Sequence, residues 1–180
     1  MKSRLAALLG ACASCLIVFL QGCASPSVQQ YAHEKPLLSL EQYFKGQTQG
    51  WGMVTNRQGV VTRRFVVSIS GQFEGETGTL DESFVWSDGE RQHRIWTLRK
   101  NGPGRWIGTA DDVVGEAIGE IAGNTLRWRY TMALPVDGRT VHLDFDDWMV
   151  LIDDKVLLNR AAFSKFGIHL GEVTLSFQRP

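Results

Sequence analysis

The chain has 180 residues, 43% of them hydrophobic and 10% aromatic, and its 19 basic residues are balanced by 19 acidic ones. With no basic surplus it lacks the electrostatic footprint of a nucleic-acid-binding protein, and its length suits one domain. Its three cysteines, Cys12, Cys15 and Cys23, all lie near the N-terminus, so the rest of the chain has no disulfide, thiol nucleophile or cysteine metal site.

Residues 1–22 have the three parts of an export signal. Lys2 and Arg4 form a positive start, and Leu5 to Leu20 is an uncharged apolar stretch. That stretch falls short of the roughly 20 residues a membrane helix needs. Leu20-Gln21-Gly22-Cys23 follows and resembles the lipobox of bacterial lipoproteins. The expectation is a signal peptide cut after Gly22 and a Cys23 that carries lipid; the alternative is an uncleaved N-terminal helix. The Cys12-x-x-Cys15 pair, which elsewhere would suggest redox or metal chemistry, would leave with the signal. A single acyl chain binds a membrane only marginally, at about 0.8 kcal/mol per buried CH₂, whereas two or more anchor stably. Ala24 rather than Asp follows the Cys, which points to the periplasmic face of the outer membrane.

The mature chain would run from Cys23 to Pro180, 158 residues with 17 basic and 19 acidic, and so a net charge near −2. A domain of this size buries about two-thirds of its surface. All six tryptophans fall within it, suggesting a substantial core or an aromatic-lined pocket. Residues 23–35 read as the acylated Cys and a short polar tether, leaving 36–180 as the folded domain.

From there on, period-two patterning dominates. Leu38–Phe44 is a candidate short helix. Phe65, Val67 and Ile69 alternate with Arg64, Val66 and Ser68, and Leu126, Trp128, Tyr130, Met132 and Leu134 alternate with polar or small residues. Arg160–Lys165 is a second candidate short helix, and Val173, Leu175 and Phe177 form a last alternating run. Turn signals separate the runs at 56–59, 87–89, 101–104, 123–124 and 137–138. Of the mature part's 17 glycines, Gly71, Gly75, Gly108, Gly115 and Gly119 lie in strand-like runs, where glycine marks bulges or barrel corners. The fold these features predict is all-β: an antiparallel up-and-down, lipocalin-like barrel of about 8–10 strands with at most short helices. A sandwich is the alternative. A membrane-spanning barrel would need an apolar lipid face on every strand.

The hairpin at Asp137-Gly138 can be read in register. With these two residues as the loop, Val136 faces Arg139. Counting outward puts Leu134 opposite Val141, Met132 opposite Leu143, and Tyr130 opposite Phe145, a continuous apolar face. The other face pairs Ala133 with His142, Thr131 with Asp144, and Arg129 with Asp146, where opposite charges meet.

Candidate chemistry is sparse. Aspartates cluster at Asp111-Asp112, Asp144, Asp146-Asp147 and Asp153-Asp154, the last resembling a turn. Adjacent strand residues point to opposite faces, so each doublet offers one carboxylate per side. His142-x-Asp144 could pair a base with its orienter, or simply lie on a solvated face. No nucleophile elbow, P-loop or G-x-G-x-x-G occurs. Arg64, Arg94, Arg127, Arg129, Asn159, Arg160 and Lys165 form a scattered polar series. Small barrels commonly meet a lipid carboxylate with one or two such basic residues beside an apolar cavity. The candidate ligand-binding set is Arg64, Arg94, Arg129, Trp128, Tyr130, Asp111, Asp112, His142, Asp146 and Asn159.

From about Tyr31 to Phe177 the chain resembles the domain of unknown function 3833, a family of bacterial lipoproteins. The resemblance is carried by Tyr43-Phe44-x-Gly46, Trp51-Gly52, Leu80-Asp81-Glu82-x-Phe84, Ser87-Asp88-Gly89, Arg94-x-Trp96 and Gly108-Thr109-Ala110-Asp111-Asp112-Val113-x-Gly115. It continues through Gly123-Asn124, Trp128-x-Tyr130, Leu134-Pro135-Val136-Asp137-Gly138, Asp146-Asp147-Trp148-Met149, Asn159-Arg160 and Lys165-Phe166-Gly167. Phe163 departs from the pattern, where Met is expected. The resemblance implies a lipoprotein with a lipocalin-like domain, encoded near enzymes that modify membrane fatty acids, and it carries over no catalytic residue.

Three functions remain open. The leading expectation is a protein anchored at the outer membrane that binds a small apolar or amphipathic ligand such as a lipid or fatty acyl group, with no cofactor, metal or nucleic acid. The rivals are an enzyme acting on such a lipid through Asp111/Asp112, His142 and Asp146, and an accessory protein of the envelope with no pocket.

Overall fold

The computed structural model describes residues 26–180. The signal segment with Cys12 and Cys15, and the lipidation site Cys23, lie outside the described residues. Ten antiparallel strands follow one another around a closed barrel, each paired with its neighbour in sequence, and the last closes on the first. They are β1 (Gly46–Asn56), β2 (Val61–Glu74), β3 (Thr77–Trp86), β4 (Arg91–Lys100), β5 (Arg105–Thr109), β6 (Ala117–Ala122), β7 (Thr125–Val136), β8 (Arg139–Leu151), β9 (Val156–Lys165) and β10 (Ile168–Gln178). This is the predicted up-and-down barrel. Closure leaves no unpaired edge.

The alternation seen in sequence becomes an inside and an outside. On β3, Gly78, Leu80 and Glu82 are buried between exposed neighbours. On β2, Phe65, Val67 and Ile69 are buried. The β7–β8 hairpin has the predicted register, with Val136 opposite Arg139, Tyr130 opposite Phe145 and Arg129 opposite Asp146. Asp137 and Gly138 both have positive φ, as a two-residue loop requires.

One helical expectation holds and one does not. Leu40–Phe44 forms a short helix, α1, capped by Ser39, whose Oγ accepts from the Gln42 N–H at 3.2 Å. Arg160–Lys165 instead belongs to β9, where Ala161 is buried against the interior and Arg160 is exposed. Ala-Ala favours a helix locally, but pairing with β8 on one side and β10 on the other overrides that preference.

α1 closes one end of the barrel. The Tyr43 hydroxyl donates to the Lys155 carbonyl at 2.9 Å, and Phe44 meets Phe177 edge-on at 5.5 Å. A Cβ on Gly71 would overlap the Phe44 carbonyl, so only glycine lets the helix seat. From Pro26 onward, the segment read as a tether lies against the barrel wall. Val28 in a 3-10 turn is buried, and Tyr31 packs edge-on to Trp148 at 6.1 Å. The Arg127 Nη1 donates to the Pro26 carbonyl at 3.1 Å. All ten strands and this packed segment fall within 26–180, so a chain starting at Ala24 retains the complete barrel.

Candidate functional site

Inside the barrel is a cavity of about 710 Å³, reaching from Leu40 and Phe44 of α1 to Pro135 and Val136 at the opposite end. Its size is that of a small-molecule site. Aromatic side chains make up much of its wall. Tyr130 stacks flat on Phe145 at 5.1 Å, which in turn meets Phe163 at 5.6 Å. Trp96 approaches Trp128 and Tyr130 edge-on at 5.9 and 5.6 Å. Gly108 and Gly119, on β5 and β6, carry no side chain where the Trp128 indole lies, and a Cβ on either would overlap the ring. Trp96, Trp106 and Trp128 are interior, Trp86 lines the cavity near Arg63, and Trp51 is exposed.

Two polar centres interrupt the apolar wall. On β4, Arg94 is bound by Asp112, with Nε 3.0 Å from each carboxylate oxygen and Nη2 2.8 Å from Oδ2. Its Nη1 is 3.5 Å from the Glu82 carboxylate of β3. Asp112 gets there because the loop between β5 and β6 runs along β7, where the Val114 N–H donates to the Thr131 carbonyl and the Ala133 N–H to the Asp112 carbonyl, both at 2.8 Å. The second centre is Asp147 on β8. It accepts from the Asn159 side-chain amide of β9 and from the Tyr130 hydroxyl at 3.4 Å.

Burial dominates the acidity of these groups. It pushes the Asp147 carboxyl up to about 7, against the hydrogen bonds from Asn159 and Tyr130. It pushes Glu82 up to about 7 as well, although Arg94 acts in the opposite direction. Burial and the Asp147 carboxylate both raise the Tyr130 phenol well above its ordinary range. Such displaced acidities in a cleft mark a functional site, though structural ion networks produce them too.

Of the sequence candidates, the structure brings Arg94, Asp112, Trp128, Tyr130 and Asn159 together in or beside the cavity. It places the others elsewhere. Arg64, Arg129, Asp111 and His142 are exposed. Asp146 lies on the outer face, bound to Arg127 Nε at 2.7 Å, while Arg129 turns to Glu120 at 3.1 Å. Of the proposed polar centre of Asp111/Asp112, His142 and Asp146, only Asp112 reaches the lumen, because strand parity turns His142 and Asp146 outward on β8 and Asp111 is exposed in the loop between β5 and β6. The expectation of a free basic residue awaiting a carboxylate also changes, since Arg94 faces inward but is already paired. Asp147, Glu82 and Arg63 line the cavity although none belongs to the candidate ligand-binding set, Asp147 having figured only in the aspartate cluster. Parity was the available signal: Asp147 shares the face of Phe145, Glu82 that of Leu80, and Arg63 that of Phe65.

A second hollow of about 1110 Å³ is larger, but it is an open trough on the outer wall beside Trp51, Met53 and Trp148. The convergent buried polar groups are in the lumen. Among the described residues, no group of three or more His, Cys, Asp or Glu could hold a metal ion, and no helix is long and apolar enough to cross a membrane.

A closed up-and-down barrel around an aromatic cavity places the molecule in the lipocalin-like class. Within that class, the chain belongs to the family described as protein of unknown function (DUF3833), which it matches over residues 17–179. No curated protein sequence matches it. Among solved structures it is similar to the S-type phycobiliprotein lyase CPES from Guillardia theta, with 8% identity, a TM-score of 0.59, and 86% of this chain and 98% of that one covered. It is also similar to a DUF3598-family protein of unknown function from Nostoc punctiforme, with 14% identity, a TM-score of 0.57, and 88% and 53% covered. A third is Rv2717c from M. tuberculosis, with 14% identity, a TM-score of 0.53, and 81% and 99% covered. Likeness at these identities concerns the fold alone.

Proposed function

We propose that this protein binds a small apolar or amphipathic ligand of lipid character inside the barrel, and that Cys23 anchors it to the periplasmic face of the outer membrane. The observation that carries the binding is the aromatic cavity of about 710 Å³ with buried polar groups part-way along its wall. A barrel built only for stability would fill that space, since interiors pack to crystal-like density. The anchoring rests on the lipobox at Leu20–Cys23 and on the docking of Pro26 and Val28 against the barrel, which keeps the domain close to its point of attachment.

The test is mass spectrometry of lipids co-purifying with residues 24–180, followed by titration of the recovered class. Occupying the cavity should change the fluorescence of Trp96 and Trp128. It should also raise stability by about 2.7 kcal/mol when free ligand is a hundred times its dissociation constant. A melting temperature unmoved by every amphiphile tried would overturn the proposal.

A further inference from the structure

Charge in the cavity is unevenly matched. Two guanidiniums reach it, and each is already held by two carboxylates. Arg94 is bound by Asp112 and Glu82. Arg63 donates to Asp88 at 2.9 Å and Glu90 at 2.8 Å, with its guanidinium 4.0 Å over the Trp86 ring. Asp147 is the reverse case. It is only 5% exposed, and its hydrogen-bond donors are the uncharged Asn159 and Tyr130. We infer that the cavity selects a ligand whose polar group donates hydrogen bonds, an alcohol or an amine, with Asp147 as its acceptor, and that it discriminates against carboxylates. This inference rests on the ligand-binding reading above and specifies the head group.

The physical reason is desolvation. A carboxylate accepts at about four lone-pair positions, and Asp147 uses two of them within the protein. A donor from the ligand would fill a further position at a site water cannot serve freely. A ligand carboxylate would instead add another anion beside Glu82, Asp112 and Asp147, with one guanidinium among them, in a medium where like charges repel far more strongly than in water. The charged and titratable groups around Asp147 are Tyr130 on β7, Asp146 on its own strand and Glu82 on β3, with Arg94 on β4 beyond them. Protonating Asp147 and Glu82 turns acceptors into donors, so the preference should weaken as pH falls through their titration near 7.

The experiment titrates residues 24–180 with decylamine, 1-decanol and decanoate below their micelle concentrations, read by tryptophan fluorescence and calorimetry. At about pH 8.5 the amine and the alcohol should each bind at least about ten-fold more tightly than the carboxylate, and the gap should narrow towards about pH 6. In Asp147→Asn the carboxylate should draw level with the alcohol. Decanoate binding as tightly as decanol to the unaltered chain, or a ranking indifferent to pH, overturns the inference while leaving ligand binding intact. No binding by any of the three amphiphiles removes both. If Asp147→Asn does not fold, Glu82→Gln replaces it: an unchanged gap there also counts against the inference, and a reduced one supports it.

Discussion

Asp146 and Asp147 are adjacent on β8, yet their acidities move in opposite directions. Asp146 faces outward. Burial would raise its pKa, but the Arg127 guanidinium outweighs that and holds it below the usual carboxylate range. Asp147 faces inward and is raised to about 7 by burial. The raised groups, Asp147 and Glu82, bind a proton more readily in the folded than in the unfolded state. Their contribution is therefore fully present below about pH 4 and is lost as pH rises towards about 7, at a cost on the order of a few kcal/mol. Asp147→Asn should raise the urea midpoint at about pH 8 and flatten the loss of stability between about pH 5 and 8, measured by denaturation at both ends. A variant less stable at high pH would show that the charged carboxylate is better solvated than its burial implies. Arg94→Met should act the other way. It strands Asp112 and Glu82 without their cation, and breaking a buried pair in this manner costs about 3–5 kcal/mol. Circular dichroism with urea titration would reveal the loss, and a change below about 1 kcal/mol would mean that the carboxylates had become protonated instead.

Each element's role follows from what it packs against. β5 and β6 are short, with five and six residues, and the loop between them extends the wall through the Val113–Met132 bridge. The same loop delivers Asp112 to Arg94, so it shapes the cavity as well as closing the sheet. Gly108 and Gly119 let Trp128 lie against the backbone of these two strands. Gly119→Ala should push the indole into the lumen, cost about 1–3 kcal/mol through overpacking, and weaken ligand binding, as fluorescence titration would measure. α1 is the plug. Phe44 and Tyr43 are both buried, and Phe44→Ala should cost about 3–5 kcal/mol and speed amide exchange at the paired ends of β1 and β10. Unchanged exchange there would mean that the barrel end is sealed without the helix.

For the whole molecule, closure is the defining feature. The pairing of Gln49 with Gln178 through to Asn56 with Gly171 joins the first strand to the last. It gives the lumen a continuous wall with no edge for another chain to extend. The packed segment from Pro26 leaves Cys23 three residues upstream of a docked residue. Cys23→Ser should abolish incorporation of labelled palmitate and block maturation, so that the signal segment stays attached, while leaving the barrel folded. Label still entering that variant would point to another site of acylation.

Much of this was legible in the residues because a strand repeats every two positions. Turn signals and alternation are local, and they established an all-β chain of short antiparallel strands, the Asp137-Gly138 register, and the face on which each side chain lies. The same parity placed Arg64 opposite to Phe65 and Asp147 beside Phe145, so part of the site was readable from spacing alone. What only the tertiary structure decided was which side of each strand became the lumen and which charges meet across it. Arg94 and Asp112 are brought together by a loop laid along β7, and Asp147 and Asn159 by the pairing of β8 with β9. Neutralisation of Arg94 by Asp112 and Glu82, and the burial that leaves Asp147 without a cation, depend on distances set by closure between residues far apart in the chain. No local pattern encodes such distances, because electrostatic partnership depends on proximity and desolvation in three dimensions rather than on spacing along the sequence.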